Sequence, residues 1–199
     1  MPDFETLTRN LEREGYQVSR FETAREACDY LDRSLDGVSI GFGGSQTVRD
    51  MGLFERLSTH NRCVWHWDKE RNVQPKEATD AQVYICSVNG VAETGEIINI
   101  DGGGNRVAST LFGHEKVIFV VGRNKIAPDY DAALWRARNI AGPLNARRLA
   151  KKTPCAVGEL KCHNCKSSDR ICAALVVLWE KPALAGQVEV VLINEEIGF

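Results

Sequence analysis

From residue 38 onward the chain repeats one pattern: a short apolar run, a glycine-rich or polar loop, then an amphipathic helix. Val38-Ser39-Ile40 leads into Gly41-Phe42-Gly43-Gly44-Ser45, and Val48, Met51, Phe54 and Leu57 follow at helical spacing. Further strand candidates are Val64–Trp67, Val83–Ser87, Val117–Val121, Leu175–Trp179 and Val188–Ile193. Short apolar strands that alternate with helices imply a mostly parallel sheet covered on both faces. The expectation is therefore a three-layer, Rossmann-like α/β fold in one domain over residues 1–199, with an α/β core at 37–199. Residues 1–36 read as a helical preface. Phe4, Leu7 and Leu11 mark one helix, and Phe21, Ala24, Cys28 and Leu31 a second. Gly15 and Tyr16-Gln17-Val18 between them read as turn and connector. Tyr130, Ala133, Leu134, Ala137, Ile140 and Ala141 form a helical stripe that Pro143 is expected to interrupt.

A chain of 199 residues buries roughly 70% of its unfolded surface, so it needs no disulfide staples. The formal net charge of -2 argues against bulk nucleic-acid binding, which leaves a basic footprint. The charge is uneven: residues 1–40 carry nine acidic and five basic side chains, and residues 123–152 eight basic and two acidic. A local basic face suits an anionic small molecule or acidic partner, or is simply a solvated helix surface. No apolar run reaches the ~18 residues of a membrane span, and the acidic N-terminal region has no apolar signal core, so a cytoplasmic location is expected. Of seven cysteines, Cys28, Cys63 and Cys86 sit in apolar segments like small core residues.

In an open α/β sheet, ligands sit beyond the carboxyl ends of the strands. Three stretches fall there. The first is Gly41–Thr47. Gly43 and Gly44 let backbone approach an anion, and Ser45 and Thr47 either contact it or cap the following helix. The second runs from Ser87 through Asn89, Glu93 and Gly95 to Asp101-Gly102-Gly103-Gly104-Asn105-Arg106. A β-hairpin followed by an N-capping Asn105 explains its glycines. Glu93 and Asp101 offer acid–base groups, and Arg106 an anion partner. The third is Gly122-Arg123-Asn124-Lys125-Ile126, after the most apolar strand candidate. These stretches make Glu93, Asp101 and Lys125 the candidate catalytic residues. Gly43, Gly44, Ser45, Thr47, Asn89, Gly104, Asn105, Arg106 and Asn124 are the candidate ligand-binding set. Lying in a loop, Glu93 and Asp101 are expected to matter more for activity than for stability.

The segment 153–172 carries Cys155, Cys162, Cys165 and Cys172, spaced C-x6-C-x2-C-x6-C. A C-x2-C pair lets two thiolates reach one metal from a tight turn, and the flanking cysteines complete a four-sulfur set. Zinc and a [4Fe–4S] cluster both fit four thiolates; the spacing matches neither the common ferredoxin run nor a standard zinc finger. Reduced thiols, or a redox pair across Cys162 and Cys165, explain the same residues. Lys161, Lys166 and Arg170 would offset the charge of the sulfurs.

Taken in order, Gly43–Thr47, Glu93-Thr94-Gly95, Asp101–Val107, Gly122–Ile126, Thr153-Pro154-Cys155, Cys162–Cys165 and Asp169–Cys172 resemble the lactate-utilisation (LUD) domain family. The resemblance covers most of the chain from about residue 38 to its end. It implies the fold of ribose-5-phosphate isomerase, glucosamine-6-phosphate deaminase and coenzyme A transferases. It also implies a link to oxidation of L-lactate to pyruvate beside iron–sulfur oxidoreductase subunits. A sugar-phosphate isomerase or transferase activity, or a non-catalytic ligand-sensing role, fits the same fold. The family pattern reads Asn-Ala-Ile-Thr where this chain has Asn89-Gly90-Val91-Ala92, so a hydroxyl at position 92 is absent.

Overall fold

In the computed structural model, residues 2–68 and 74–199 are described. Their strands are β1 (Gln17–Phe21), β2 (Ser39–Phe42), β3 (Arg62–Trp65), β4 (Val83–Ser87), β5 (Gly90–Ala92), β6 (Ile97–Asp101), β7 (Lys116–Gly122), β8 (Ile126–Ala127), β9 (Ala174–Leu178) and β10 (Gln187–Ile193). The helices are α1 (Phe4–Arg13), α2 (Ala24–Ser34), α3 (Gln46–Asp50), α4 (Leu53–Leu57), α5 (Asn105–Leu111), α6 (Tyr130–Arg136), α7 (Gly142–Arg148) and α8 (Pro154–Val157).

Six strands form a parallel sheet in the order β1-β10-β7-β4-β2-β3. The central strand β7 is apolar on both faces, as a strand covered on both sides must be. Val117, Phe119 and Val121 face one core with Leu7 and Leu11 of α1. Ile118 and Val120 face the other with Ala27 and Leu31 of α2 and Leu53 and Leu57 of α4. Because the strands run parallel, the loops after β2, β3, β4 and β7 all emerge at one end.

Two elements depart from the sequence reading. The connector expected at Tyr16-Gln17-Val18 is the start of β1, which pairs with β10 from Gln17↔Glu189 to Phe21↔Ile193. The N-terminal residues are thus part of the sheet, and Phe21 ends a strand where helical spacing was expected. Pro143 does not stop the helix. Residues 130–148 stay helical through a π-turn at Ala137–Ala141, and Pro143 sits in the first turn of α7. A wide turn absorbs the missing N–H and the bulk of the proline ring, a role π-bulges take near functional sites.

A second sheet, β8-β5-β6-β9, packs on the α1 side. The β5–β6 hairpin is the one expected from the glycine pattern. Antiparallel pairing with β9 and parallel pairing with β8 extend it. Ala133 and Ala137 pack on its outer face against Ala92 and Ile98. Among the described residues no helix is long and apolar enough to cross a membrane.

Candidate functional site

The carboxyl ends of β2, β3, β4 and β7 open into a cavity of about 410 Å³. Gly44-Ser45-Gln46 follow β2, His66 and Trp67 follow β3, Ser87 and Asn89 lie at the end of β4, and Lys125 follows β7. Asp101, Asn105 and Arg106 line the wall formed by the β6–α5 junction, and Arg148 and Phe199 lie at other sides.

Lys125 is 2% exposed. Its Nζ donates to Thr47 Oγ1 at 2.8 Å, Ser87 Oγ at 2.9 Å and the Val88 carbonyl at 3.3 Å. Burial, helped by the positive charges of Arg136 and Arg106, lowers its pKa from the ordinary 10.5 to about 7. Arg106, also buried, donates to the Ser87 and Ile100 carbonyls and to the side-chain oxygens of Asn99 and Asn89. Gly43 makes room for it, since a Cβ there would lie 3.0 Å from Arg106 Cγ and 2.8 Å from Tyr84 Oη. Behind both, Arg136 donates to the Asn124 and Asn89 carbonyls, and burial lowers its pKa to about 10.

Among the described residues none of these three cations forms an ion pair. Elsewhere in the fold a buried charge is neutralised. Glu189, 1% exposed, meets Lys116 Nζ at 2.6 Å and accepts hydrogen bonds from Ser19 and Tyr30. Burying a charge without a counter-charge is costly. The hydrogen bonds that hold Lys125, Arg106 and Arg136 thus go to neutral acceptors, while the Asp101 carboxylate on the same wall is engaged by main-chain N–H groups. At its edge the Arg148 guanidinium lies 4.5 Å over the Trp67 ring, a cation–π contact. Burial lowers the pKa of His66, against the opposing pull of the Asp101 carboxylate.

A model of the LUD domain matches residues 4–193. The chain belongs to the LUD domain family. A DUF162 family protein from Deinococcus radiodurans shares the fold, with a TM-score of 0.55 at 13% identity over 96% of this LUD-domain chain and 95% of the other. A ribose 5-phosphate isomerase from Plasmodium falciparum overlaps at a TM-score of 0.33 and 12% identity, over 53% of this chain and 52% of its own; so partial an overlap carries no argument. No curated protein sequence matches the chain.

Of the residues expected at the site, Gly44, Ser45, Asn89, Asn105, Arg106, Asp101 and Lys125 line the cavity of the LUD domain. Others stand one step back. Gly43 provides clearance, and Thr47 is fully buried and accepts from Lys125. Asn124 fastens the C-terminal segment, donating to the Gly198 carbonyl and accepting from the Ile197 N–H. Ser45 accepts from Val48 N–H and so caps α3.

Three expected roles change. Asp101 is not placed as a free base, because its carboxylate accepts from the main-chain N–H groups of Gly103, Gly104 and Val107. It fastens the start of α5, the task expected of Asn105, whose side chain makes no capping bond. The cap position belongs to Gly104, which takes a left-handed φ of 80°. Glu93 lies outside the cavity wall. Its Oε1 accepts from the Asp3 N–H at 2.8 Å, and its carbonyl accepts from Asn10, so it ties α1 to the hairpin.

Ser87, His66, Trp67, Arg136 and Arg148 belong to the site although sequence reasoning did not single them out. Ser87 ends an apolar strand, the position where a lone hydroxyl meets a ligand loop. The excess of basic residues at 123–152 was the trace of Arg136 and Arg148.

Cys155, Cys162, Cys165 and Cys172 all border a second cavity, of about 220 Å³. They are free thiols. Among the described residues no three His, Cys, Asp or Glu side chains converge as ligands of a single ion. The two cavities share Ile100, Arg170 and Ile171.

Proposed function

We propose that this LUD-domain chain serves hydroxy-acid metabolism, lactate utilisation above all, by binding a small carboxylate or phosphate anion in the 410 Å³ cavity. In this reading Lys125 exchanges a proton with the ligand. One observation carries it: Lys125 and Arg106 are buried at one cavity, and among the described residues neither forms an ion pair. An anion would supply the missing charge. A lysine that titrates near neutrality also suits proton transfer at physiological pH.

Oxidation of L-lactate to pyruvate releases two protons and two electrons. The neutral Lys125 amine takes the hydroxyl proton. The carbon-bound hydrogen and its electron pair would leave together to an electron-accepting oxidoreductase partner, which completes the balance of two protons and two electrons. Isomerase chemistry would instead ask for a carboxylate base beside the ligand, and Asp101 has both oxygens occupied by main-chain donors.

Calorimetric titration of wild type and Lys125→Met with L-lactate, pyruvate, ribose 5-phosphate, inorganic phosphate and an acyl-coenzyme A tests the reading. A hydroxy-acid anion is expected to bind wild type. Losing a charge-assisted contact of about 1.5–3 kcal/mol should weaken Lys125→Met roughly tenfold or more. Equal affinity in the two proteins, or no anion bound by either, sinks the proposal. Turnover of the sugar phosphate or acyl-coenzyme A would replace it with the isomerase or transferase reading, and binding without turnover beside an electron acceptor with a sensing role.

A further inference from the structure

The cysteine segment has features that packing does not explain. Residues 158–173, between α8 and β9, hold no helix or strand, longer than the ~12–15 residues at which an irregular stretch inside a compact domain becomes unusual. Few main-chain hydrogen bonds hold it, among them Lys161 N–H to the Glu159 carbonyl, Arg170 N–H to Ser167, and Ala173 N–H to Asp101. Yet the loop folds so that its three cysteines face one cavity together with Cys155 of α8, and the remaining wall includes Ile100, Leu134, Pro143, Ala146 and Leu175.

The sulfurs are also met by hydrogen-bond donors. Asn164 takes a left-handed φ of 47° inside the C-x2-C turn, which brings its N–H to 3.4 Å from Cys162 Sγ. Arg138 reaches the same sulfur at 3.7 Å. Arg170 Nε lies 3.1 Å from Cys172 Sγ, and Thr153 Oγ1 3.2 Å from Cys155 Sγ. A neutral thiol is a weak acceptor. Two guanidinium groups and a main-chain N–H nevertheless lie at these sulfurs, and hydrogen bonds to sulfur are among the levers that tune iron–sulfur sites.

We propose that this cavity is the binding site of a [4Fe–4S] cluster, ligated by Cys155, Cys162, Cys165 and Cys172. The cubane spreads its four thiolates over the corners of a tetrahedron, farther apart than ligands of one ion. All four cysteines border this one cavity. The volume of about 220 Å³ far exceeds the ~10–15 Å³ that a single water requires. Each thiol ligates after losing its proton, and an oxidised cluster with four thiolates is a dianion, which Arg138 and Arg170 face. The proposal does not rest on the anion pocket.

The test is anaerobic reconstitution of the full chain with ferrous iron and sulfide, followed by removal of excess, metal and sulfide analysis, and visible and electron paramagnetic resonance spectra. About four irons and four sulfides per chain are expected, the composition of a four-cysteine cubane, with visible absorption that bleaches on dithionite as a paramagnetic signal appears. Cys162→Ser with Cys165→Ser should lose that signature while circular dichroism stays native. Cys28→Ser, altering a core thiol that donates to the Met51 carbonyl, should keep it, and so should Lys125→Met, which separates this outcome from the fate of the anion pocket. Undiminished loading in the double variant would overturn the proposal. So would wild type that acquires no sulfide-bound iron, or that binds one zinc ion and excludes iron.

Discussion

Replacing Lys125 by methionine should stabilise the protein most at low pH and progressively less as pH rises. A fall in pKa from 10.5 to about 7 corresponds to roughly 5 kcal/mol against the charged form in the fold, at ~1.36 kcal/mol per unit. Below pH ~7 both the folded and unfolded chains carry the proton, so wild type bears the whole cost. Between pH ~7 and ~10.5 the unfolded chain still holds a proton that the folded chain has released, and stability of wild type rises by up to ~1.4 kcal/mol per pH unit. Methionine has no such term. It does forfeit the bonds from Nζ to Thr47, Ser87 and Val88, but Thr47 and Ser87 lie 3.3 Å apart and can satisfy one another. The stability difference between Lys125→Met and wild type should therefore shrink by about 3 kcal/mol from pH ~6.5 to ~9.5. Urea unfolding of the two proteins across that range measures it, with titrations elsewhere cancelling in the difference. Parallel stability curves would refute the reasoning, because they would mean that Lys125 titrates alike in the folded and unfolded chains.

The same pKa sets the pH dependence of ligand binding. An anion favours the ammonium form, so affinity should be flat below pH ~7 and fall above it by up to about tenfold per pH unit; affinity constant from pH ~6 to ~9 would contradict an anion that senses Lys125. Asp101→Ala removes the acceptor of three main-chain N–H groups and should cost about 2 kcal/mol, a drop of roughly 4–8 °C in melting temperature for a chain of this size. Glu93→Gln keeps an oxygen for the Asp3 N–H, so stability should stay within about 0.5 kcal/mol and anion affinity should not change. Gly198→Ala would drive a methyl into Thr47 Oγ1, pushing the C-terminal segment off the pocket. The added water should raise the pKa of Lys125, read as an upward shift of the pH at which anion affinity begins to fall.

The large sheet was legible wherever its strands are buried on both faces. Val117–Val121 is a continuous apolar run and Val188–Ile193 is apolar but for Glu189, and they became β7 and β10. β1 was not legible, because an edge strand pairs on one side only and Gln17 and Arg20 are exposed. Its five residues carry no apolar run or clear alternation to separate them from a connector. The β5–β6 hairpin announced itself through Gly95 and the glycines after Asp101. Its neighbour β8 spans only Ile126–Ala127 and becomes a strand through its pairing with β5, a tertiary fact. Pro143 misled because a proline ends a regular helix, whereas the π-turn before it is set by packing.

Residues of the three expected loops border one cavity, but sequence could not divide their polar groups between cavity and loop. That division follows from counting donors and acceptors. Asp101 has both oxygens taken by main-chain N–H groups, and Asn124 has both side-chain ends on the C-terminal segment. Arg106 has five N–H groups, of which four bonds to neutral acceptors are seen, so it acts on a ligand chiefly through its field. The Lys125 ammonium has three protons and three acceptors. When it loses one proton, the 3.3 Å contact to Val88 is the weakest to give up, and a lone pair is created without disturbing the bonds to Thr47 and Ser87. Those two hydroxyls keep the amine in place while its charge changes. On the proposed reading these bonds hold Lys125 as a proton carrier, and burial, with the charges of Arg136 and Arg106, is what lets it release its proton near neutral pH.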